Sequence, residues 1–389
     1  MRRMRAHLLA RGGPPRLTLA RIGASVACVI AGSSLSVAVG AASDVPFSPA
    51  LVARVGTTNV LYVVSESPAC TVRACVRLER SNDGGRTFFP VTVPPVSRVL
   101  GQNTPPLESL YFATPLDGYA LQYTSTGSKW ASSALFSTFD GGHTWRRVTI
   151  ARHDTVYGMT SSTGYFYALS EQCSAKGACS HVQLNRSSVG TTTWTKLTVP
   201  ERILKYWGDV QLAAFGPRVW LSTQNQGSAP YSPYVATSLN DGESFTVATQ
   251  PQLSSAGSCG LLPVSEEVLW AECDEGNMQG DILNSRDGGR RWQLDEDNQL
   301  GRFAFGVFDP VSPAVAYFIN GNYPRTLFRA TSESEVRDVG NLPGRYNWMS
   351  LDMTNAQRGV ALSQGAAGSN TDILWRTDDG GTSWSRVVL

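Results

Sequence analysis

Ser285–Trp292 reads SRDGGRRW, and the same eight-residue phrase returns at Ser81–Phe88 (SNDGGRTF), Thr138–Trp145 (TFDGGHTW), Ser238–Phe245 (SLNDGESF) and Thr377–Trp384 (TDDGGTSW). The common form is S/T-x-D/N-x-G-x-x-W/F. The acid or amide at the third position accepts backbone N–H groups one to three residues on, and the following glycine supplies positive φ without a Cβ clash. Together they fold a tight turn between two antiparallel strands. The leading hydroxyl satisfies another turn group, and the final aromatic starts the next strand and packs back between neighbouring sheets. Asp83, Asp140, Asn240, Asp287 and Asp379 are therefore read as structural, each consumed by its own turn.

The anchoring aromatics Phe88, Trp145, Phe245, Trp292 and Trp384 stand roughly 50 or roughly 100 residues apart, so each longer gap should hold a degenerate copy. Ser187–Trp194 (SSVGTTTW) fills the first, with Val189 where the acid should be. LFRATSESEVRDV from Leu327 fills the second and matches LWRTDDGGTSW from Leu374 only in its leading Leu-aromatic-Arg. Seven units of about 49 residues, rich in Gly, Pro, Ser and Thr and without long helical periodicity, predict an all-β fold. The architecture expected is a seven-bladed β-propeller of four-stranded antiparallel blades over residues 44–389. In the second unit the strands fall at Ser109–Ala113, Gly118–Tyr123, Ser133–Thr138 and Trp145–Ile150, and the seventh unit runs from Trp348 to Leu389. Each terminus then completes its own blade. Closure is expected from side-chain packing between the first and last blades, helped by Asp44–Ala50 pairing at an edge.

Residues 1–43 are an address rather than part of the fold. Arg2, Arg3, Arg5, Arg11, Arg16 and Arg21 precede the uncharged stretch Ile22–Ala42, which ends in the small-residue run Val39–Ser43. This predicts an export signal cut near Ala42, with an uncleaved membrane anchor as the alternative, and a body that is secreted or held at the cell envelope. Without those arginines the net charge moves from +2 to about −4, which argues against a nucleic-acid surface. The remaining cysteines group locally as Cys70 with Cys75, Cys173 with Cys179, and Cys259 with Cys273, the natural pairing for three intra-blade disulfides in an oxidising compartment. No Cys-x-x-Cys or matching His pair is present, so no metal site is expected. No phosphate-loop motif, Gly-x-Ser-x-Gly elbow or His-Glu-x-x-His helix appears either, and no cofactor is expected.

The phrase resembles the Asp-box, or BNR, repeat of sialidases, xyloglucan-type hydrolases, sortilin-type receptors and photosystem II assembly factors. Leu110–Leu121 (LYFATPLDGYAL) and Leu351–Leu362 (LDMTNAQRGVAL) look like the inner-strand pair of the assembly factors, and Phe308–Tyr317 (FDPVSPAVAY) like an Asp-Pro strand start of the xyloglucanase and sortilin groups. The resemblance implies the propeller fold and places the phrases on the face opposite the usual binding mouth. A site is then expected on the outer-to-inner crossovers and the second-to-third strand loops. The catalytic signatures of the enzymatic relatives are absent. PALVARVG gives Arg54 no aromatic-Arg-Ile-Pro context, and no early Asp-Val-Gly-Gly stretch occurs.

Glu108, Asp154 and Asp209 sit at comparable crossover positions, and acids from adjacent blades facing one another would suit a shared substrate or cation. The plainer reading of each is a solvated residue at a strand start. Crossover residues Lys205, Tyr206, Trp207, Arg345, Tyr346 and Trp348, with loop residues Tyr231, Tyr234, Tyr323 and Arg325, supply groups suited to a glycan or a peptide. Such side chains also fill gaps between blades. The sequence therefore points to a monomeric exported scaffold that binds a protein or a carbohydrate and meets a membrane only through an uncleaved N-terminal segment. A sialidase-like exo-glycoside hydrolase is the alternative.

Overall fold

The computed structural model describes residues 47–67, 76–96, 107, 109–126, 129–150, 154–173, 179–204, 210–223, 234–250, 258–276, 279–294, 307–319, 326–331, 336–343, 348–364 and 372–389. Seven four-stranded antiparallel sheets follow one another, each made of four consecutive strands in sequence order. The first strands of the blades are Ser48–Arg54, Ser109–Phe112, Asp154–Ser161, Val210–Phe215, Ser258–Pro263, Val307–Ser312 and Trp348–Met353. First strands of neighbouring blades pack together at every junction but that of blades five and six, and that of blade seven returns to that of blade one, so these strands are the inner ones. This is the seven-bladed β-propeller that the spacing predicts. The one helix among the described residues is the single turn Glu201–Leu204, too short to cross a membrane. Both degenerate copies of the phrase fall where a full copy would, between the third and fourth strands of blades three and six.

The phrase turns are closed by their own side chains. Ser81 Oγ donates to Asp83 Oδ1 at 2.8 Å and accepts the Gly85 N–H at 2.8 Å. The same Asp83 oxygen accepts the Arg86 and Thr87 N–H groups at 2.9 Å, while Oδ2 takes the Thr87 hydroxyl at 2.7 Å. The pattern recurs around Asp140, Asp287 and Asp379. Asn240 serves equally well because its Oδ1 still accepts Ser238 Oγ and the Ser244 N–H. Partial burial opposes ionisation of Asp83, but the bonds from Thr87, Ser81 and Arg86 outweigh it and bring its pKa down to about 2. Asp140, Asp287 and Asp379 are lowered by the same balance.

A second repeat lies beneath the first. One residue before the leading hydroxyl of the phrase, the third strand faces an aromatic on the second strand: Tyr62, Tyr119, Tyr167, Trp220 and Trp270 pair with Arg80, Ser137, Arg186, Thr237 and Asn284. Tyr317, opposite Arg329, holds the same place in blade six. All six are among the largest fully buried side chains. Each leans on the following blade. Tyr62 Oη donates to Pro115 O at 3.2 Å and to Gly141 O at 3.1 Å, Tyr119 to Thr191 O at 3.0 Å, and Tyr317 to Ala356 O at 2.9 Å. Trp220 Nε1 donates to Gly288 O at 3.0 Å, Tyr167 lies against Gly242, and the Trp270 ring centroid is 5.9 Å from that of Phe308. The aromatic body supplies apolar burial in all six, and in Tyr62, Tyr119, Trp220 and Tyr317 the polar tip also reads a carbonyl of the next blade, whereas Tyr167 Oη and Trp270 Nε1 reach no such carbonyl among the described residues. Burial pushes the Tyr62 and Tyr119 phenols up to about 12, so they remain donors.

The seam between blades seven and one is built differently. Val360 takes the aromatic's place, opposite Arg376. It packs so closely on Gly85, at φ +84, that a Cβ there would lie 2.8 Å from Val360 Cγ1. A small core of Val52, Leu61, Val63, Val360 and Leu374 fills this seam, and the Asp372 N–H donates to Ser48 Oγ at 2.7 Å. Among the described residues no blade mixes strands from the two termini, and side-chain packing closes the ring as expected. The expected edge pairing of Asp44–Ala50 is corrected. Ser48–Ala50 belong to the inner strand, where Ser48 and Pro49 pair with Glu66 and Ser65 on the second strand of their own blade and the register shifts at Ala50. Residues 44–46 lie outside the described residues.

Two outcomes follow for stability. Trp220→Ala should cost about 3–5 kcal/mol in urea denaturation, and Trp220→Phe, which loses chiefly the bond to Gly288, about 1–2 kcal/mol. The phrase acids have lowered folded-state pKa values, so their contribution is complete above about pH 4 and is lost as pH falls toward about 2. Asp83→Asn should keep the turn, as Asn240 does, and make the fall of Tm over that acid range shallower.

Candidate functional site: an acid–arginine cluster between the inner strands

Three inner strands place charged side chains together. Arg54, at the end of the inner strand of blade one, donates through Nη1 to Met353 O on blade seven and through Nη2 to Asp309 Oδ1 on blade six at 3.3 Å. Asp309 Oδ2 accepts the Met353 N–H. One guanidinium and one carboxylate thus stitch blades six, seven and one. The side chains of Arg54 and Asp309 are 22% and 8% exposed, so this ion pair is largely withdrawn from water. Asp309 opens an Asp-Pro step in Val307–Ser312, where the proline contributes no N–H and the acid is free to bond across to the next blade.

Asp352 completes the cluster from the inner strand of blade seven. Burial, then the neighbouring charge of Asp309, pushes its carboxyl up to about 7, with Arg54 acting in the opposite direction. Its surface is only half-buried, but it is densely surrounded by protein, and desolvation dominates. Burial also pushes Asp309 up, against Arg54 and the Met353 N–H. Arg54 itself is disfavoured as a cation by burial, yet Asp309 and Asp352 outweigh this and raise its pKa. The cluster therefore holds one firm cation beside two carboxyls whose proton affinity burial has raised. No group of three or more His, Cys, Asp or Glu suited to a metal occurs among the described residues.

The residues singled out from the sequence are distributed as follows. Asp154 begins the inner strand of blade three, its backbone opposite Gln172, while Glu108 and Asp209 lie outside the described residues. Lys205, Tyr206, Trp207, Tyr231, Tyr323, Arg325, Arg345 and Tyr346 also lie outside them. Trp348 is half-buried, its ring centroid 6.1 Å from that of Trp384, and Tyr234 carries the Arg202 guanidinium 5.4 Å above its ring. Cys259 and Cys273 form a disulfide between directly opposed residues of blade five. The backbones of Cys173 and Cys179 are likewise opposed at the end of a hairpin, and Cys70 and Cys75 lie outside the described residues. Sequence reasoning missed Asp309 and Asp352 as site residues and set Arg54 aside. The Asp-Pro step was the one local signal.

No family model matches the chain, and no curated protein matches it at a significant level. Among solved structures, the β-propeller domain of the Trilobed protease from Pyrococcus furiosus, described as having an open velcro topology, aligns with a TM-score of 0.56 at 9% identity over 88% of this chain and 98% of that one. A prolyl endopeptidase aligns with a TM-score of 0.55 at 12% identity over 88% of this chain and 50% of that one, so the chain spans about half of that enzyme. YCF48 from Cyanidioschyzon merolae aligns with a TM-score of 0.49 at 15% identity over 72% of this chain and 84% of that one. At these identities the likeness is one of fold, and the fold shared with the two better-aligned structures is the β-propeller.

Proposed function

We propose that the chain is an exported binding scaffold whose ligand, a protein or a glycan, is held at the end of the ring opposite the phrase turns. The observation that carries this reading is the internal satisfaction of the acid–arginine cluster. Arg54 spends its fork on Met353 O and Asp309, and Asp309 spends its second oxygen on the Met353 N–H. A guanidinium committed in this way is poorly placed to grip a substrate carboxylate. Antiparallel alternation puts the phrase turns at the end where inner strands finish, leaving crossovers and second-to-third loops to form the other face. The aromatic and cationic residues read from the sequence belong to the crossovers and second-to-third loops by their place in the chain, and the N-terminal arginines with the following apolar stretch support export.

A hydrolase is the second reading, favoured by one observation. Asp352, near 7, stands beside a second carboxyl, the split in proton affinity that acid–base chemistry uses. A panel of fluorogenic sialosides and β-glucans separates the two. The scaffold reading expects no turnover by wild type; turnover that disappears in Asp352→Asn or Asp154→Ala would replace it with the hydrolase. On a glycan array and against envelope proteins, Trp207→Ala combined with Tyr346→Ala should weaken binding by about tenfold or more at unchanged Tm. Unaltered binding would move the site elsewhere.

The raised pKa of Asp352 has its own signature in stability. Its folded-state pKa is raised, so its contribution to stability is complete below about pH 4 and is lost as pH rises through about 7. Wild-type Tm should fall between about pH 4 and about pH 7, and the slope should be clearly shallower in Asp352→Asn.

A further inference from the structure

The closing seam carries a second charged cluster, on the phrase face and away from Arg54. Arg86, in the phrase of blade one, meets Asp378 Oδ1 of blade seven at 3.1 Å, and Arg358 Nε approaches the same oxygen at 3.7 Å. Arg376 Nη2 pairs with Asp378 Oδ2. Three guanidinium groups therefore share one carboxylate. The stems of Arg358 and Arg376 pack over Gly84 and Gly85, which fixes the arginines of blade seven against the turn of blade one.

The donors exceed what the acceptors can take. Three guanidiniums bring about fifteen N–H groups, against about four lone-pair sites on Asp378. The nearest further acid, Asp83, attracts Arg376 at a distance, but its oxygens are occupied by Ser81, Arg86 N–H and Thr87 of its own turn. Arg376 is only 16% exposed, and its Nε is buried without an acceptor among the described residues. Buried guanidinium N–H groups left open are costly, and an added anion with several oxygens is what would fill them. Arg86 and Arg358, at 46% and 37% exposed, leave the cluster open to solvent.

We propose that Arg86, Arg358 and Arg376 form a seat for a tetrahedral dianion, a phosphate or sulfate group, that bridges blades one and seven. Arginine suits such a group because its planar fork donates two parallel bonds to adjacent oxygens. Asp378 holds the three side chains in place and limits the seat to strongly charged anions. Because the ligand touches both ends of the ring, its binding stabilises the closed propeller. This lies beyond the scaffold reading and does not depend on it.

The test is the Tm of the full chain with added inorganic phosphate or inorganic sulfate, against sodium chloride of equal ionic strength. The expected result is a saturable rise, half-complete at low millimolar anion. Arg86→Gln with Arg358→Gln should require about tenfold more anion or higher for the same rise. If the double variant is not folded, Arg86→Gln alone gives the comparison, and the readout is the anion-specific increment rather than the absolute Tm. General exclusion of these salts from protein surface gives a linear, unsaturable rise that is equal in variant and wild type. That outcome, or no rise above chloride, would overturn the seat. On acidification toward about pH 5.5 phosphate becomes a monoanion and its effect should weaken while that of sulfate persists. Equal effects of phosphate at both pH values would overturn the requirement for a dianion.

Discussion

Each phrase turn satisfies its polar groups from within, and the ring depends on that. Asp83, Asp140, Asp287, Asp379 and Asn240 take up the turn's own N–H groups and leave its carbonyls facing outward to the preceding blade. Those carbonyls receive the Tyr62 and Trp220 donors. A turn that needed its neighbour to satisfy its N–H groups would couple every blade to the folding of the next. Here the local problem is solved first, and the neighbour adds only an apolar contact and one hydrogen bond. The blade can therefore be repeated with changes elsewhere, and in blade three Ser187 and Thr191 close the turn although Val189 replaces the acid.

The ring is nonetheless asymmetric, and the cause is geometric. Six buried aromatics each lean on the next blade, but Val360 stands where the seventh would be. The turn it meets is that of blade one, where Gly85 already lies within a methyl's reach. An aromatic at that point would need space that the seam does not have. What replaces the aromatic is charge: Arg54 with Asp309 on the inner strands, and three arginines around Asp378 on the phrase face. A charged seam closes the circle with less apolar area and with attraction that acts over a longer distance, which suits an end-to-end junction that no shared strand holds.

The fold could be read from the sequence because its decisive interactions are short in range. Ser81 to Thr87 contains every donor and acceptor of its turn, so the phrase announced its own structure and its spacing counted the blades. The two degenerate copies were placed correctly by interval alone, since Ser187 and Thr191 can close a turn without an acid. The inner-strand cluster was beyond such a reading. Arg54 and Asp309 are 255 positions apart, and Arg54 and Met353 are 299 apart, so nothing local to either residue marks the contact. Closure itself predicts that the first inner strand meets the last. It does not say which side chains meet there, because strand stagger around the ring decides that, and a shift of one residue would replace Arg54 with an apolar neighbour.

These two kinds of seam respond differently to their surroundings, and this bears on what the ring can do. The apolar contacts behind Tyr62, Tyr119, Tyr167, Trp220, Trp270 and Tyr317 are nearly indifferent to ionic strength and to pH below the range where buried phenols ionise. The contacts that join blade one to blade seven include exposed and half-buried ion pairs, which weaken with salt, and a carboxyl that titrates near 7. Ion pairs also cross other junctions, Arg186 with Glu243 and Arg218 with Glu266 and Glu267, and the closing junction adds a carboxyl raised to about 7. A ligand bridging blades one and seven acts on the junction that no shared strand holds, and its binding stabilises the closed ring over any state in which that junction has opened.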